Sequence, residues 1–278
     1  MSGVARLKAQ IRRVSREKGI PPQVLLQNYM MERFLEKLSA SPHRDNFVLK
    51  GGFLIAAMVG IGTRSTMDID ATVTGRPLTR NAIRHILTDI CSTPVSDDLV
   101  MTVETIEEIR DNDEYHGFRA HIKADLEGTR GGFKVDLTTG DSITPGAIAF
   151  SFPTIFDGRL LHIRSYNVET LLAEKIETIL VRGNQNTRLR DFYDIYILTQ
   201  PPMDNLDSVV AGEALTNTLV HRGTLTFLAD AHERVESLRD DPTMNQRWRA
   251  YQQAYHYARG ITFGDTIDAV VELLGQVA

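Results

Sequence analysis

Thiols and long apolar runs are scarce in this 278-residue chain, and each scarcity excludes something. The single cysteine, Cys91, can form no intramolecular disulfide and has no second thiol for a zinc-ligand pair, so a reducing, cytoplasmic setting without structural zinc is expected. The longest uninterrupted apolar run, Phe53 to Val59, is seven residues long. That is far below the roughly 18–20 residues of a membrane-spanning helix, so no membrane association is expected. Positive charge is not in excess: 31 Lys and Arg stand against 36 Asp and Glu, a formal net charge of −5, which leaves a polyanion only a local basic face. The early cations Arg6, Lys8, Arg12, Arg13, Arg16 and Lys18 are not followed by an apolar stretch, so no secretory signal is expected. A hydrophobic content of 42% with 24% charged residues excludes a disordered chain.

The patterning divides the chain. Val4, Leu7, Ile11 and Val14 form one stripe of a helix that Pro21-Pro22 is expected to end, and residues 23–38 read as a second helix. Phe47-Val48-Leu49 reads as a strand, Gly51-Gly52 as a turn, and Phe53 to Val59 as an apolar helix. Alternation then marks strands at 68–73, 101–105, 118–126 and 133–137, with a helix over 80–91 between the first two. From about Val168 only helices are expected, at 168–182, 188–199, 206–221, 223–239, 243–258 and 264–275. The expectation is α/β plus α: a bilobed chain with a mixed-sheet lobe and flanking helices over 1–165, and a helical lobe over 166–278.

Asp68 and Asp70 are two residues apart on a strand, so both carboxylates leave one face while Ile69, Ala71 and Val73 point to the core. In Phe133-Lys134-Val135-Asp136-Leu137 the same alternation lets Asp136 share that face. Paired carboxylates repel unless a cation separates them, and hard oxygen ligands suit Mg²⁺ or Mn²⁺. Three can hold two ions about 3.5–4 Å apart, an arrangement for phosphoryl or nucleotidyl transfer. Gly51-Gly52, between a strand and a helix, supplies backbone N–H groups able to cradle phosphate oxygens.

The run Leu49-Lys50-Gly51-Gly52 followed by Arg64-Ser65-Thr66-Met67-Asp68-Ile69-Asp70 resembles motif I of the DNA polymerase β-type nucleotidyltransferases, in particular the AbiEii/AbiGii toxin family. Ala173-Glu174-Lys175-Ile176-Glu177, Arg182, and Arg190-Asp191-Phe192-Tyr193-Asp194-Ile195-Tyr196 are similar to that family's helical-lobe motifs. Gly52 stands where many nucleotidyltransferases have serine, fifteen residues separate Gly52 from Asp68, and Arg190 stands where relatives often have lysine.

The resemblance implies an NTP-dependent nucleotidyltransferase toxin of a toxin–antitoxin or phage-defence system. It would move an NMP to an RNA acceptor, the tRNA 3′ end, with an AbiEi-like antitoxin as partner. Catalysis would fall to Asp68, Asp70, Asp136, Lys175 and Asp191, the first three also holding metal. Nucleotide binding would fall to Lys50, Gly51, Gly52, Arg64, Thr66, Lys175, Arg182, Arg190 and Asp194. Lys175 and Arg182 share a helix face, and Asp191 is placed to orient one of them. Two alternatives are a nucleotide-binding toxin that performs no transfer and a metal-dependent nuclease or phosphohydrolase. Trp248, Tyr251, Tyr255 and Tyr257 with Arg247, Arg249 and Arg259 suit either helix packing or single-stranded nucleic acid.

Overall fold

A computed structural model describes residues 3–76, 78–95, 99–111, 115–203 and 205–277, and its described part divides into two compact units. The first comprises Met1–Asp141 with Ile148–Ser165; the second comprises Ser142–Ala147 with Tyr166–Ala278.

In the first unit, α1 (Gly3–Lys18) buries Val4, Leu7, Ile11 and Val14 and packs on α2 (Pro22–Ala40). The expected stop at Pro21-Pro22 is corrected: α1 ends at Lys18, where Gly19 turns left-handed with φ +67°. Pro22 instead opens α2, since the first helical turn needs no donor from it. The sheet holds β1 (Phe47–Lys50), β2 (Asp68–Val73), β3 (Val100–Asp111), β4 (Tyr115–Leu126), β5 (Thr129–Thr138), β6 (Ile148–Pro153) and β7 (Leu160–Ser165), in the order β3-β4-β5-β2-β1-β7-β6. β2 runs antiparallel to β1 and parallel to β5, so the sheet is mixed, as expected for a mixed α/β fold. The β6–β7 hairpin is absent from the sequence-based strands, because in β6 only Phe152 is buried and the alternation is faint. α3 (Gly51–Val59) follows β1, and α4 (Arg80–Ser92) follows β2 behind a Thr79 cap that accepts from Ala82 N–H. Gly51 and Gly52 thus begin a helix rather than form a separate turn.

One sheet face carries Ile69, Ala71, Ala120, Ile122, Val135 and Leu137, all buried. α2 covers it through β5, with Phe34 edge-on to Phe133 at 5.6 Å. Each fully buried aliphatic side chain here contributes about 1.5–3 kcal/mol. The other face carries the charged residues described below.

The second unit is helical: α5 (Val168–Arg182), α6 (Leu189–Leu198), α7 (Ser208–His221), α8 (Ala231–Glu236), α9 (Pro242–Ala254) and α10 (Phe263–Val277). Asn167 caps α5, and its Nδ2 donates to the Thr144 carbonyl at 2.9 Å, tying the 142–147 segment to this unit. The expected continuous helix over 223–239 is corrected to a 3₁₀ turn at Leu225–Leu228 followed by α8, with Asp230 outside helical geometry at φ −121° between them. Helix 243–258 is likewise shorter: α9 ends at Ala254, and His256–Ala258 form a 3₁₀ turn. No helix among the described residues is long and apolar enough to cross a membrane.

Candidate active site

The site in the first unit grows out of strand register. Lys50 on β1 is opposite Asp70 on β2, Asp70 is opposite Asp136 on β5, and Asp136 is opposite Arg119 on β4. Because directly paired residues project to one face, these four side chains form a row of signs plus, minus, minus, plus. Asp68, two residues before Asp70, joins the same face opposite Lys134.

The two cations of the row are committed at its ends. Arg119 donates to both oxygens of Asp136, Nε to Oδ1 at 2.8 Å and Nη2 to Oδ2 at 2.6 Å, a bidentate pair. Lys50 Nζ donates to Asp141 at 3.0 Å, and the same Asp141 oxygen accepts from Thr72 and Thr138 at 2.5 and 2.6 Å. These donors hold the Asp141 carboxyl down to about 2 against the opposing effect of burial. Asp141 was not among the sequence candidates, although Thr72 and Thr138, facing each other across β2 and β5, mark the polar pocket that receives it.

Asp70, between the two charged ends, behaves differently. Burial first, and then repulsion from Asp136 and Asp68, pushes its pKa up to about 6, against the pull of Lys50 and a hydrogen bond from Gly52 N–H. Gly51 is required at this point. Its φ is +66°, and a Cβ there would lie 2.1 Å from Asp70 Oδ2. The α3 N-terminus therefore meets the carboxylate backbone-first, and one of its unpaired N–H groups is already directed at it. A Cβ on Gly52 would approach Arg64 Nη2 at 3.0 Å and Thr66 Oγ1 at 3.2 Å, so the loop before β2 folds back beside the same helix start. α2 fixes that loop: Asn28 Nδ2 donates to the Thr66 carbonyl at 3.1 Å, and Gln27 Nε2 to the Met67 carbonyl at 2.7 Å. Arg64 is buried, with 3% of its surface exposed. Lys50, Gly51, Gly52, Arg64, Thr66, Asp68, Asp70 and Asp136 are thus brought together in one unit. Among the described residues, no three His, Cys, Asp or Glu side chains are arranged to hold a metal ion, and both Asp136 oxygens face Arg119.

In the helical unit, Lys175 on α5 donates to Asp191 Oδ1 at 3.0 Å and to Asp194 Oδ2 at 2.7 Å, both on α6. The three side chains are 11%, 10% and 0% exposed, so Asp194 belongs to a buried ion cluster rather than to a surface pair. The adjacent motif acids serve the fold: Glu174 and Glu177 both hold Arg222, at 3.2 and 2.6 Å. Arg190 is exposed and Arg182 half-buried. Trp248 is buried against Phe263 and Tyr251 and donates to the Ile261 carbonyl, which favours the helix-packing reading of that aromatic stretch.

Several known proteins resemble the chain. Six solved chains match the protein. JHP933 from Helicobacter pylori aligns over 93% of each chain with a TM-score of 0.53 and 13% identity, a likeness of fold. A nucleotidyltransferase-like antigenic protein from Paracoccidioides brasiliensis aligns over 72% of this chain and 90% of its own, at 19% identity and a TM-score of 0.38. No curated protein matches the chain. The model of the family described as "Nucleotidyl transferase AbiEii toxin, Type IV TA system" matches residues 33–272, which include the carboxylate row and the Lys175 cluster. The chain therefore belongs to the AbiEii family of type IV toxin–antitoxin systems and is a nucleotidyltransferase.

Proposed function

We propose that this toxin moves the nucleoside monophosphate of an NTP onto an RNA hydroxyl, with the tRNA 3′ end as acceptor, using the carboxylate row of the first unit. The observation that carries the reading is the pairing of Asp70 with Asp136 on adjacent parallel strands while the glycine start of α3 abuts Asp70. Such a helix start accepts phosphate oxygens at its free N–H groups.

The donor set suits Mg²⁺ or Mn²⁺. Asp68 and Asp70 offer hard oxygen ligands from one strand face, and a cation would offset both the burial and the neighbouring negative charge that raise the Asp70 pKa. Asp136 would join them by exchanging Arg119 for the ion. When bound, such an ion neutralises triphosphate charge and acidifies the acceptor hydroxyl.

The chain's own residues supply positioning. Gly51 and Gly52 let a phosphate approach the backbone, and Lys50, Arg64 and Thr66 border the same helix start. In the helical unit, Lys175 with Asp191 and Asp194, and Arg182 and Arg190, are assigned to nucleotide handling on the family motif. In the reaction, the acceptor oxygen bonds to the α-phosphorus while the bond to the β-phosphate oxygen breaks. Pyrophosphate leaves, and the hydroxyl proton passes to the carboxylates. A nucleotide added to the tRNA 3′ end blocks aminoacylation, which accounts for a cytoplasmic toxin in phage defence restrained by an AbiEi-like antitoxin.

Expression of wild-type protein and of Asp70→Asn in a bacterial host lacking the antitoxin tests this reading. Growth arrest with 3′-extended tRNA is expected for the wild type alone. Arrest persisting in Asp70→Asn, or RNA that is shortened rather than extended, would contradict it.

A further inference from the structure

A cavity of about 200 Å³ lies in the first unit beside α2, α3 and β6. Its walls are apolar, from Phe53, Ala57, Ile61, Phe152 and Pro153, while α2 contributes Asn28 and Glu32. It extends along α3 from Phe53, next to Gly52, to Gly60 at the far end of the helix. An apolar cavity of about 150 Å³ already accommodates benzene, so this one has room for a ring and a short substituent.

Glu32 gives the cavity its chemistry. The residue is fully buried, and its Oε1 accepts from Ile155 N–H at 2.8 Å. Oε2 is also buried and has no hydrogen-bond partner among the described residues. A buried oxygen left in that condition retains its full desolvation cost until something pairs with it. Burial also pushes the Glu32 carboxyl up to about 8, so near neutral pH it is mostly the uncharged acid.

We propose that this cavity binds a small neutral molecule with one ring or short chain and one hydroxyl, an alcohol or phenol whose O–H pairs with Glu32 Oε2. A hydroxyl both donates and accepts, so it satisfies Oε2 in either protonation state. An ammonium group would pass Lys18 at the border of the cavity and meet a Glu32 that is mostly uncharged near neutral pH, while Arg33, Arg159, Glu36 and Asp157 already pair with one another. The apolar walls account for the ring or chain of the molecule.

Full-length protein titrated with benzyl alcohol, toluene and benzylamine, read by thermal shift and ligand-observed NMR, tests the proposal. Benzyl alcohol is expected to bind saturably and about tenfold more tightly than toluene, the ratio that one good buried hydrogen bond gives. Benzylamine is expected not to bind. In Glu32→Leu the preference for the alcohol disappears while toluene still binds, and in Ala57→Phe both are excluded. Absence of saturable alcohol binding, equal affinity for alcohol and toluene, or a preference surviving in Glu32→Leu would overturn the proposal. The wild-type comparison and Ala57→Phe keep the test decisive if Glu32→Leu does not fold.

Discussion

Alanine at Gly51 perturbs the contact on which the active-site geometry depends. The added Cβ would lie 2.1, 2.7 and 2.9 Å from Asp70 Oδ2, Cγ and Cβ. All three atoms are in the way, so rotating the carboxylate cannot relieve the overlap, and Asp70 must leave its place opposite Asp136. A left-handed backbone costs an L-residue roughly 1–2 kcal/mol, and overpacking adds about 1–3, so a loss of about 2–5 kcal/mol is expected. Gly52→Ala is the internal control. Its Cβ meets only the ends of the Arg64 and Thr66 side chains, at 3.0 and 3.2 Å, and alanine favours the helix, so the change should stay within about 1 kcal/mol of wild type. Tryptophan fluorescence is the wrong probe, because the single tryptophan, Trp248, lies in the other unit. Hydrogen exchange of the β2 and α3 amides by mass spectrometry reads the affected region, with nucleotidyl transfer measured alongside. Gly51→Ala should exchange faster and lose transfer. If it matched Gly52→Ala in both, the packing argument would be refuted.

Three further outcomes follow from buried charge. Lys175→Met strips a cation from two buried carboxylates and should cost about 3–5 kcal/mol in chemical denaturation followed by Trp248 fluorescence. Asp141 has a folded pKa depressed to about 2, so its contribution is present above its ordinary value and lost as pH falls towards 2; Asp141→Asn should lose about 2 kcal/mol at neutral pH and lack that acid limb in a pH series of unfolding curves. Glu32 has the opposite sign. With a folded pKa near 8 it binds a proton on folding, so stability falls as pH rises from 4.5 to about 8, and Glu32→Gln should flatten that slope.

The local part of this architecture was legible in the sequence, and the long-range part was not. Asp68-Ile69-Asp70 announces one polar face by period two, and the order of its motifs announces the family. The pairing of Asp136 with Arg119 depends on β4–β5 register, which spans seventeen positions and leaves no trace in either strand alone. Asp141 was missed for the same reason: its partners come from three strands. Nothing in the sequence marks Glu32, since charged helix positions ordinarily face solvent. Yet α2 is enclosed on nearly every side and buries Gln27, Asn28, Arg33 and Lys37 as well, so the polar positions of its pattern carry structural and chemical roles. The interruption between Leu228 and Ala231 and the end of α9 at Ala254 were hidden because the apolar spacing continues past them.

The central claim is transfer by the carboxylate row. Purified protein incubated with Mg²⁺, each α-labelled NTP in turn and total tRNA, beside Asp70→Asn and resolved on a denaturing gel, tests it most directly. The account predicts label on tRNA with the wild type and none with the variant. Label that persists in Asp70→Asn, or RNA left unlabelled by every NTP although nucleotide binds, would contradict it.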